Sequence, residues 1–197
     1  IPKIINQIRN NKIVSIISDA GTPAISDPGY KLIKECSKQL INYTLIPGPS
    51  SVISAAVMSG LPTDKFTFFG FVPKKVSEQE ICFEGIKNDN KTAIFFESPK
   101  RLEKTITNLI EVLGKTRRVS ICKEMTKLHE QIFRGSTSEI LEDIKKEKIL
   151  LKGEMVIVIE GVQKNNINFI LDKKTKKEFL KKLSASDAAK LISLVTG

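Results

Sequence analysis

Short apolar runs alternate with helix-like segments along most of the chain, and this alternation constrains the fold more than any other feature. Runs rich in Ile, Val and Phe predict strands at 13–17, 43–46, 66–71, 92–96, 118–122, 130–133 and 154–160. Apolar residues at helical spacing or clear helix boundaries predict helices at 1–8, 30–40, 51–59, 99–113 and 137–146. Such alternation is typical of an α/β fold, and we expect a largely parallel sheet.

The alternation breaks once, at Val72-Pro73-Lys74-Lys75, and Ser77 then opens a capping-box pattern that ends at Glu80. We therefore predict a domain boundary at this point. Residues 1–72 form an N-terminal α/β domain and residues 73–162 a C-terminal α/β domain. Beyond Gly161 the sequence becomes rich in Asn and Lys, so residues 163–197 are predicted to form a basic linker and a partial helical appendage.

The chain is strongly basic, with 32 Lys and Arg residues against 22 Asp and Glu residues and a formal net charge of +10. Such a balance favours an anionic partner such as nucleic acid, because cationic side chains displace the counterions of phosphates. The alternative is a proteome that is rich in lysine throughout. No run approaches the roughly 18 apolar residues of a membrane span, so no membrane partner is expected.

The three cysteines, Cys36, Cys82 and Cys122, are widely spaced and odd in number. They predict neither a disulfide framework nor a metal site, and they fit a reducing cytoplasm. The sequence opens at Ile1 without an initiator methionine and stops at Gly197 directly after a helix-like segment. We therefore expect it to be a fragment of a longer protein.

Four loops follow predicted strands, at 18–28, 47–51, 97–101 and 123–130. In an open α/β sheet the ligand binds where such loops cross to helices, although glycine and proline also mark ordinary turns. The first loop reads SDAGTPAISDPG and presents Asp19 directly after its strand. A carboxylate and backbone carbonyls suit a cationic or hydroxyl-rich ligand. The loop matches neither GxGxxG nor GxxxxGK[ST], which disfavours a triphosphate.

Six segments carry a resemblance to a known family. In order they are VSIISDAGTPAISDPGY, LIPGPSSVISAAVMSGLP, FFGFVPKK, FFESPKRL, CKEMTKLHE and KGEMVIVIEG. Together they resemble the tetrapyrrole-methylase-like methyltransferases that depend on S-adenosylmethionine, and most closely the branch that acts on ribosomal RNA. The resemblance implies methyl transfer to the ribose 2′-hydroxyl of a cytidine in small-subunit ribosomal RNA.

The resemblance also implies two α/β domains with the cofactor in the cleft between them, and a homodimer. It assigns Asp19, Ala20, Gly21 and Thr22 to the loop that wraps the cofactor. Further cofactor contacts are implied at Ser50, Ser51, Phe95, Phe96, Thr126 and Glu130. Family members begin with a further strand, a TPIGNL-like loop and an acidic segment of EDTR character, which this sequence lacks. We therefore expect one wall of the cleft to be missing and the fragment to be inactive.

Three residues at predicted strand ends are candidate catalytic groups. Glu124 and Glu97 could take the hydroxyl proton as carboxylates, and Lys123 could do so only if burial lowered its pKa. The alternative is that Glu124, Lys123 and Lys127 form an ordinary ion-pair cluster. His129, the single histidine, is better explained as structural, and Ser98 as the N-cap of the helix from Pro99.

Lys100, Arg101 and Lys127 are candidate contacts for RNA phosphates. Lys100 and Arg101 stand at the start of a helix, where the dipole disfavours cations, and they could equally be solvated side chains. No metal site is predicted. Two other function classes stay open: a methyltransferase of the same fold that acts on a small tetrapyrrole, and a non-catalytic RNA-binding module.

Overall fold

A computed structural model of the chain describes residues 1–18, 21–162, 181 and 183–196. It contains two compact units, Ile1–Val162 and Gln163–Gly197. The helices are α1 (Pro2–Arg9), α2 (Tyr30–Lys38), α3 (Ser51–Ser59), α4 (Val76–Lys87), α5 (Pro99–Leu113), α6 (Thr137–Lys145) and α7 (Ala185–Thr196). The strands are β1 (Phe66–Phe71), β2 (Thr92–Glu97), β3 (Arg118–Lys123), β4 (Gln131–Ser136) and β5 (Met155–Ile159).

The five strands form one mixed sheet in the order β1-β2-β5-β3-β4. Only the β1–β2 pair is parallel, whereas β5 runs antiparallel to both β2 and β3, and β3 runs antiparallel to β4. The predicted α/β class is confirmed, but the expectation of a largely parallel sheet is wrong. The short loop from β3 to β4 cannot make the crossover that a parallel pair needs, and β5 enters the sheet centre from the opposite direction.

Side chains of β5 alternate between two cores. Met155, Ile157 and Ile159 join the side that is covered by α4, α5 and α6, whereas Val156 and Val158 pack beneath α3. All five residues are buried, as expected for a central strand with helices on both faces. The sheet is thus the middle of three layers, and it positions the first residues of α3 and α5.

Two of the predicted strands, 13–17 and 43–46, are absent. Both segments lack regular structure, and Ile13 is 98% exposed and Ile46 86% exposed. A buried strand needs neighbours that accept and donate its backbone hydrogen bonds. Within the described ranges neither run pairs with another strand, so their apolar side chains remain in contact with water.

Helix α4 begins at Val76, and its N-cap residue Lys75 makes no side-chain capping bond, so the capping box predicted from Ser77 is wrong. A capping box is found instead at the start of α6, between Ser136 and Glu139. Strand β1, from the predicted first domain, pairs directly with β2 from the second. The domain boundary at residue 73 stays a prediction.

The second compact unit is described only in part. Ser184 accepts a hydrogen bond from the backbone N–H of Asp187 at 3.1 Å and so caps α7, at the position where the sequence places a helix start. The lysine-rich segment 173–180, part of the predicted basic appendage, lies outside the described residues.

Candidate active-site cleft

A cleft of about 430 Å³ opens at one edge of the sheet in the first compact unit. The carboxyl ends of β1 and β2 meet the amino end of the antiparallel β5 at this edge. Its lining comes from the loop residues Gly21, Thr22, Ile25, Ser26 and Asp27, from Ser50, Ser51 and Val52, from Phe71, from Phe96, Glu97, Ser98 and Pro99, from Met125 and Thr126, and from Gly153, Glu154, Met155 and Val156. The cleft thus occupies the position at which α/β sheets bind ligands.

Two helices begin at the cleft. Ser50 is the N-cap of α3, and its Oγ accepts a hydrogen bond from the N–H of Ile53 at 3.4 Å. Ser98 is the N-cap of α5, as predicted, with Pro99 as the first helical residue. Helix amino ends carry backbone N–H groups without helical partners, so both walls offer donors to polar ligand atoms.

Glu97 is fully engaged in holding α5 to β2. Its side chain is buried, and Oε1 accepts hydrogen bonds from the N–H of Ser98 at 2.6 Å and from Arg101 Nη2 at 2.5 Å. Oε2 accepts from the hydroxyl of Thr105 at 2.6 Å. Glu97 thereby binds the N–H of the N-cap residue, whereas the Ser98 side chain makes no capping bond. These contacts indicate a structural role for Glu97 rather than the role of a proton acceptor.

Arg101 extends the same network to the start of the linker after β1. Its guanidinium donates to the carbonyl oxygen of Val72 at 2.9 Å and to that of Pro73 at 3.3 Å. Those bonds fix the chain after β1 against α5. They give Arg101 an internal role that competes with its predicted contact to RNA phosphate, whereas Lys100 next to it is exposed.

Glu124, Lys127 and Glu154 form an ion-pair cluster beside the cleft. Lys127 Nζ lies 3.4 Å from Glu124 Oε1 and 3.0 Å from Glu154 Oε1. The N–H of Glu154 donates to Glu124 at 2.6 Å, and this hydrogen bond together with Lys127 lowers the pKa of the Glu124 carboxyl. Burial acts to lower the pKa of Lys127, but the two carboxylates outweigh it, so that pKa is raised. The ion pair of Glu124 with Lys127 fits the ion-pair alternative, whereas Lys123, which that alternative included, makes no ion pair in the described part of the chain.

Gly153 makes this cluster possible. Its φ of +85° lies in the left-handed region, and a Cβ built there would stand 2.6 Å from Glu124 Oε1 and 2.8 Å from its Cγ. Only a residue without a side chain lets Glu124 lie over this backbone. The glycine of the KGEM segment therefore holds the β3–β4 loop against the start of β5.

The loop between β3 and β4 is stabilised by Glu130, which accepts a hydrogen bond from the N–H of Thr126 at 2.8 Å. Thr126 lines the cleft, whereas Glu130 stabilises the turn from outside it. Leu128 is 93% exposed at the loop tip, and His129 beside it is also exposed. His129 therefore has no buried structural role in the described part of the chain.

The lining of the cleft contrasts in charge with the chain as a whole. Asp27, Glu97 and Glu154 line it, and no Lys or Arg is among the described lining residues, although the chain carries a net charge of +10. Phe71, Phe96 and Met125 supply apolar surface next to these carboxylates. A ligand with cationic and apolar parts fits this surface better than a polyanion.

The structure places most of the predicted cofactor contacts in the cleft, namely Gly21, Thr22, Ser50, Ser51, Phe96 and Thr126. Asp19 and Ala20 lie outside the described residues. Phe95 is not among the lining residues, because strand side chains alternate and it points to the opposite face, so its cofactor contact stays a prediction. There it stacks on Phe69 with ring centroids 4.8 Å apart and is completely buried.

The predicted catalytic residues are dispersed. Glu97 lines the cleft, whereas Glu124 and Lys123 are not among its lining residues. Lys123 is buried on β3 opposite Gln131, and its Nζ lies 3.5 Å from the Gln131 side-chain oxygen. Their catalytic assignments stay predictions.

Sequence reasoning missed Asp27, Met125 and Glu154. Asp27 stands in the second half of the loop that was singled out for Asp19. Met125 and Glu154 stand in two segments whose motifs were noticed without these residues being chosen. Asking which residues lie within two positions of each strand end would have found Met125 and Glu154.

Among the described residues no group of three His, Cys, Asp or Glu side chains is placed to hold a metal ion. A search of the same residues finds no helix that is long and apolar enough to span a membrane.

Two solved methyltransferase structures share this fold. The methyltransferase CobJ matches with a TM-score of 0.60 over 82% of this chain and 70% of its own, at 15% sequence identity. A uroporphyrin-III C-methyltransferase from Thermus thermophilus, complexed with S-adenosyl homocysteine, matches with a TM-score of 0.52 over 80% of this chain and 70% of its own, at 12% identity. At such identities the likeness establishes the fold.

The family follows from the sequence. Residues 3–141 match the family model of the Tetrapyrrole (Corrin/Porphyrin) Methylases, and the chain belongs to this family. It is 42% identical to the ribosomal RNA small subunit methyltransferase I of Thermotoga maritima over 161 residues, 82% of this chain and 71% of that protein. It is 44% identical to the protein of the same name from Mycobacterium tuberculosis over 137 residues, 70% of this chain and 48% of that protein.

Proposed function

We propose that the protein transfers a methyl group from S-adenosylmethionine to the ribose 2′-hydroxyl of a cytidine in small-subunit ribosomal RNA. The strongest support for this proposal is the 42% identity to a ribosomal RNA small subunit methyltransferase over 82% of the chain. The cleft adds physical support, because it lies at the ligand-binding edge of the sheet and its lining carries no described cation. The matched region covers only 48% of the mycobacterial relative. The activity of the whole protein is therefore a proposal.

The donor set of the cleft fits this cofactor. Glu154 offers a carboxylate that complements an ammonium or a sulfonium charge, and the hydroxyl groups of Ser50 and Ser51 suit ribose and carboxylate atoms. Phe96 offers an apolar ring beside them. The volume of about 430 Å³ lies within the range of roughly 300–1,000 Å³ that is usual for small-molecule sites. When bound, S-adenosylmethionine supplies a methyl group that is activated by a positive sulfur.

The chain's own residues contribute chiefly by positioning. In-line displacement depends on holding the hydroxyl oxygen in line with the methyl carbon, and a misplacement of about 1 Å can cost roughly a hundredfold in rate. The Glu97–Arg101 network holds the start of α5 at one wall, and the Glu124–Lys127–Glu154 cluster holds residue 154 at another. Met125 and Val156 are buried and add apolar surface to the same cleft.

We propose Lys100 as the phosphate contact nearest the cleft, because it is exposed and follows the lining residue Pro99 directly. Lys127 is less available, since two carboxylates hold its ammonium group. Lys100→Gln should reduce the slope of log affinity against log salt by about one unit, which is the effect of losing one phosphate contact. Lys115→Gln, beyond the other end of α5, is the control, and an unchanged slope in Lys100→Gln would assign Lys100 to solvated surface.

We further propose that the protein is a homodimer that acts in the cytoplasm. The homodimer rests on the family resemblance, and the location follows from a ribosomal substrate and three free cysteines. Size-exclusion chromatography with light scattering tests the oligomeric state of the full-length protein.

Transfer of labelled methyl groups tests the proposed reaction. The full-length protein should label undermethylated small ribosomal subunits, and nuclease digestion should release the label as 2′-O-methylcytidine. A porphyrinoid in place of the subunits should stay unlabelled. Labelling of the porphyrinoid alone would favour the tetrapyrrole alternative, and cofactor binding without any transfer would favour a binding module.

A further inference from the structure

Among the described residues, three carboxylates line the cleft, and they differ in what they already bind. Glu97 is saturated by Ser98, Arg101 and Thr105. Glu154 is paired with Lys127 at 3.0 Å. Both carboxylates are therefore already occupied by protein partners.

Asp27 is the exception. In the described part of the chain its carboxylate has neither a hydrogen-bond partner nor a cation within 4.0 Å, yet it lines the same cleft and is only partly exposed. Its lone pairs therefore remain available to a ligand.

The backbone around Asp27 places this carboxylate in the cleft. Ala24 and Ser26 have φ values of +70° and +58°, an uncommon conformation for residues other than glycine, and both positions stand just before Asp27. Gly29 follows at φ +139°, and a Cβ there would meet the Cβ of Ala24 at 3.4 Å. The loop therefore folds back on itself at Gly29, with Ile25, Ser26 and Asp27 turned toward the cleft.

We propose that Asp27 is the catalytic residue that accepts the proton of the substrate hydroxyl. This rests on the proposed function. In the step, the 2′-oxygen forms a bond to the methyl carbon while the carbon–sulfur bond of the donor breaks and leaves its electron pair on sulfur. The hydroxyl proton passes to the Asp27 carboxylate, and it leaves to water after product release. The positive charge of the donor is thus balanced by the released proton.

The assignment separates Asp27 from the two carboxylates that the sequence suggested. Glu97 and Glu124 hold backbone N–H groups and cations in place, and their removal disturbs the cleft walls. Asp27 makes no such contact in the described part of the chain, so we expect its replacement to leave the fold unchanged. Loss of catalysis without loss of stability is therefore the signature that distinguishes Asp27.

The test compares Asp27→Asn with wild type in the full-length protein. The amide keeps the size of the side chain but accepts no proton. We expect kcat for methylation of small subunits to fall by about a hundredfold or more, which is the usual contribution of a positioned base. The melting temperature should be unchanged, and the dissociation constants for S-adenosylhomocysteine and for the RNA should stay within about threefold. Asp64→Asn, an exposed aspartate outside the cleft, is the matched control and should behave as wild type.

The outcomes separate the two proposals. If wild type methylates the subunits and Asp27→Asn keeps its kcat, Asp27 is not the proton acceptor although the proposed function stands. If Asp27→Asn weakens cofactor or RNA binding with kcat intact, Asp27 is a binding group and the inference is again overturned. If wild type transfers no methyl group, the proposed function itself fails, whatever the variant does.

Discussion

Strand β5 and the run 13–17 are the same kind of sequence, Met-Val-Ile-Val-Ile and Ile-Val-Ser-Ile-Ile, with opposite outcomes. β5 is buried along its whole length because β2 and β3 accept and donate its backbone hydrogen bonds and helices cover both faces. The run 13–17 has no strand neighbour in the described chain, and Ile13 and Ile17 are almost fully exposed. Apolar composition makes a segment able to be a strand, but neighbours decide whether it becomes one.

The same substitution in both regions gives the largest expected difference. Ile157→Ala removes a fully buried side chain from β5 and should lower the free energy of unfolding by about 2–5 kcal/mol. Ile13→Ala removes a side chain that is already in water and should change it by less than about 0.5 kcal/mol. Urea unfolding of both variants measures the contrast, and comparable losses would mean that residues 13–17 are buried in solution.

A second contrast lies within the cleft, between a carboxylate that holds structure and one that does not. Glu97→Ala leaves Arg101 and Thr105 without their buried acceptor and should cost about 2–4 kcal/mol of stability. Asp27→Asn should cost nothing measurable. Thermal unfolding followed by circular dichroism compares the two, and a Glu97→Ala variant as stable as wild type would remove the structural role given to that network.

Gly153→Ala should cost about 1–3 kcal/mol, because the left-handed backbone disfavours a side chain and the new Cβ displaces Glu124. Gly85→Ala is the matched control. Gly85 lies exposed in α4 with open space around it, so the same change should stabilise by about 0.5–1 kcal/mol.

The displacement of Glu124 can be measured separately in a double-mutant cycle. In a Glu124→Ala background the cost of Gly153→Ala should shrink by about 1 kcal/mol, and the remainder reports the backbone strain. Additive effects would show that Glu124 does not lie over Gly153.

The smallest expected effect is the pH dependence of the ion-pair cluster. The folded state lowers the pKa of Glu124, so its stabilisation is fully present above the ordinary pKa of a glutamate and is lost as the pH falls through the lowered value. Wild type should therefore lose up to about 1 kcal/mol more than Glu124→Gln between about pH 5 and about pH 3. If the free energy of unfolding depended on pH in the same way in both proteins, the stabilising role of the Glu124 carboxylate would be contradicted.

Local patterns predicted much of the C-terminal part of the fold. The strands predicted at 66–71, 92–96 and 118–122 are found at Phe66–Phe71, Thr92–Glu97 and Arg118–Lys123, since their composition agrees with the pairing that the chain provides. Pairing direction was not predictable, because the insertion of β5 between β2 and β3 depends on contacts far apart in sequence. The position of α3 over the sheet likewise depends on Arg134, which donates to the carbonyl oxygens of Met58 and Ser59 at the end of that helix.

The candidate site was predictable in its location but less so in its roles. The loops after strands predicted a site at the edge of the sheet where the cleft lies, and Thr22, Ser51 and Thr126, which the resemblance implies as cofactor contacts, line that cleft. The roles of Glu97 and Asp27 were not predictable. Which carboxylate is saturated and which is free depends on partners such as Thr105, which lies eight residues from Glu97 and reaches it only once α5 has formed.

The central claim is that the cleft at this sheet edge binds the methyl donor, and calorimetric titration with S-adenosylhomocysteine tests it most directly. Ser98→Trp in the full-length protein places a large ring in the cleft without removing a capping bond, because the Ser98 side chain makes none. Ser77→Trp on the exposed face of α4 is the control. We predict one binding site per chain in wild type and in Ser77→Trp, and a loss of binding in Ser98→Trp with an unchanged melting temperature. Binding by Ser98→Trp with the affinity of wild type would place the cofactor elsewhere and contradict the account.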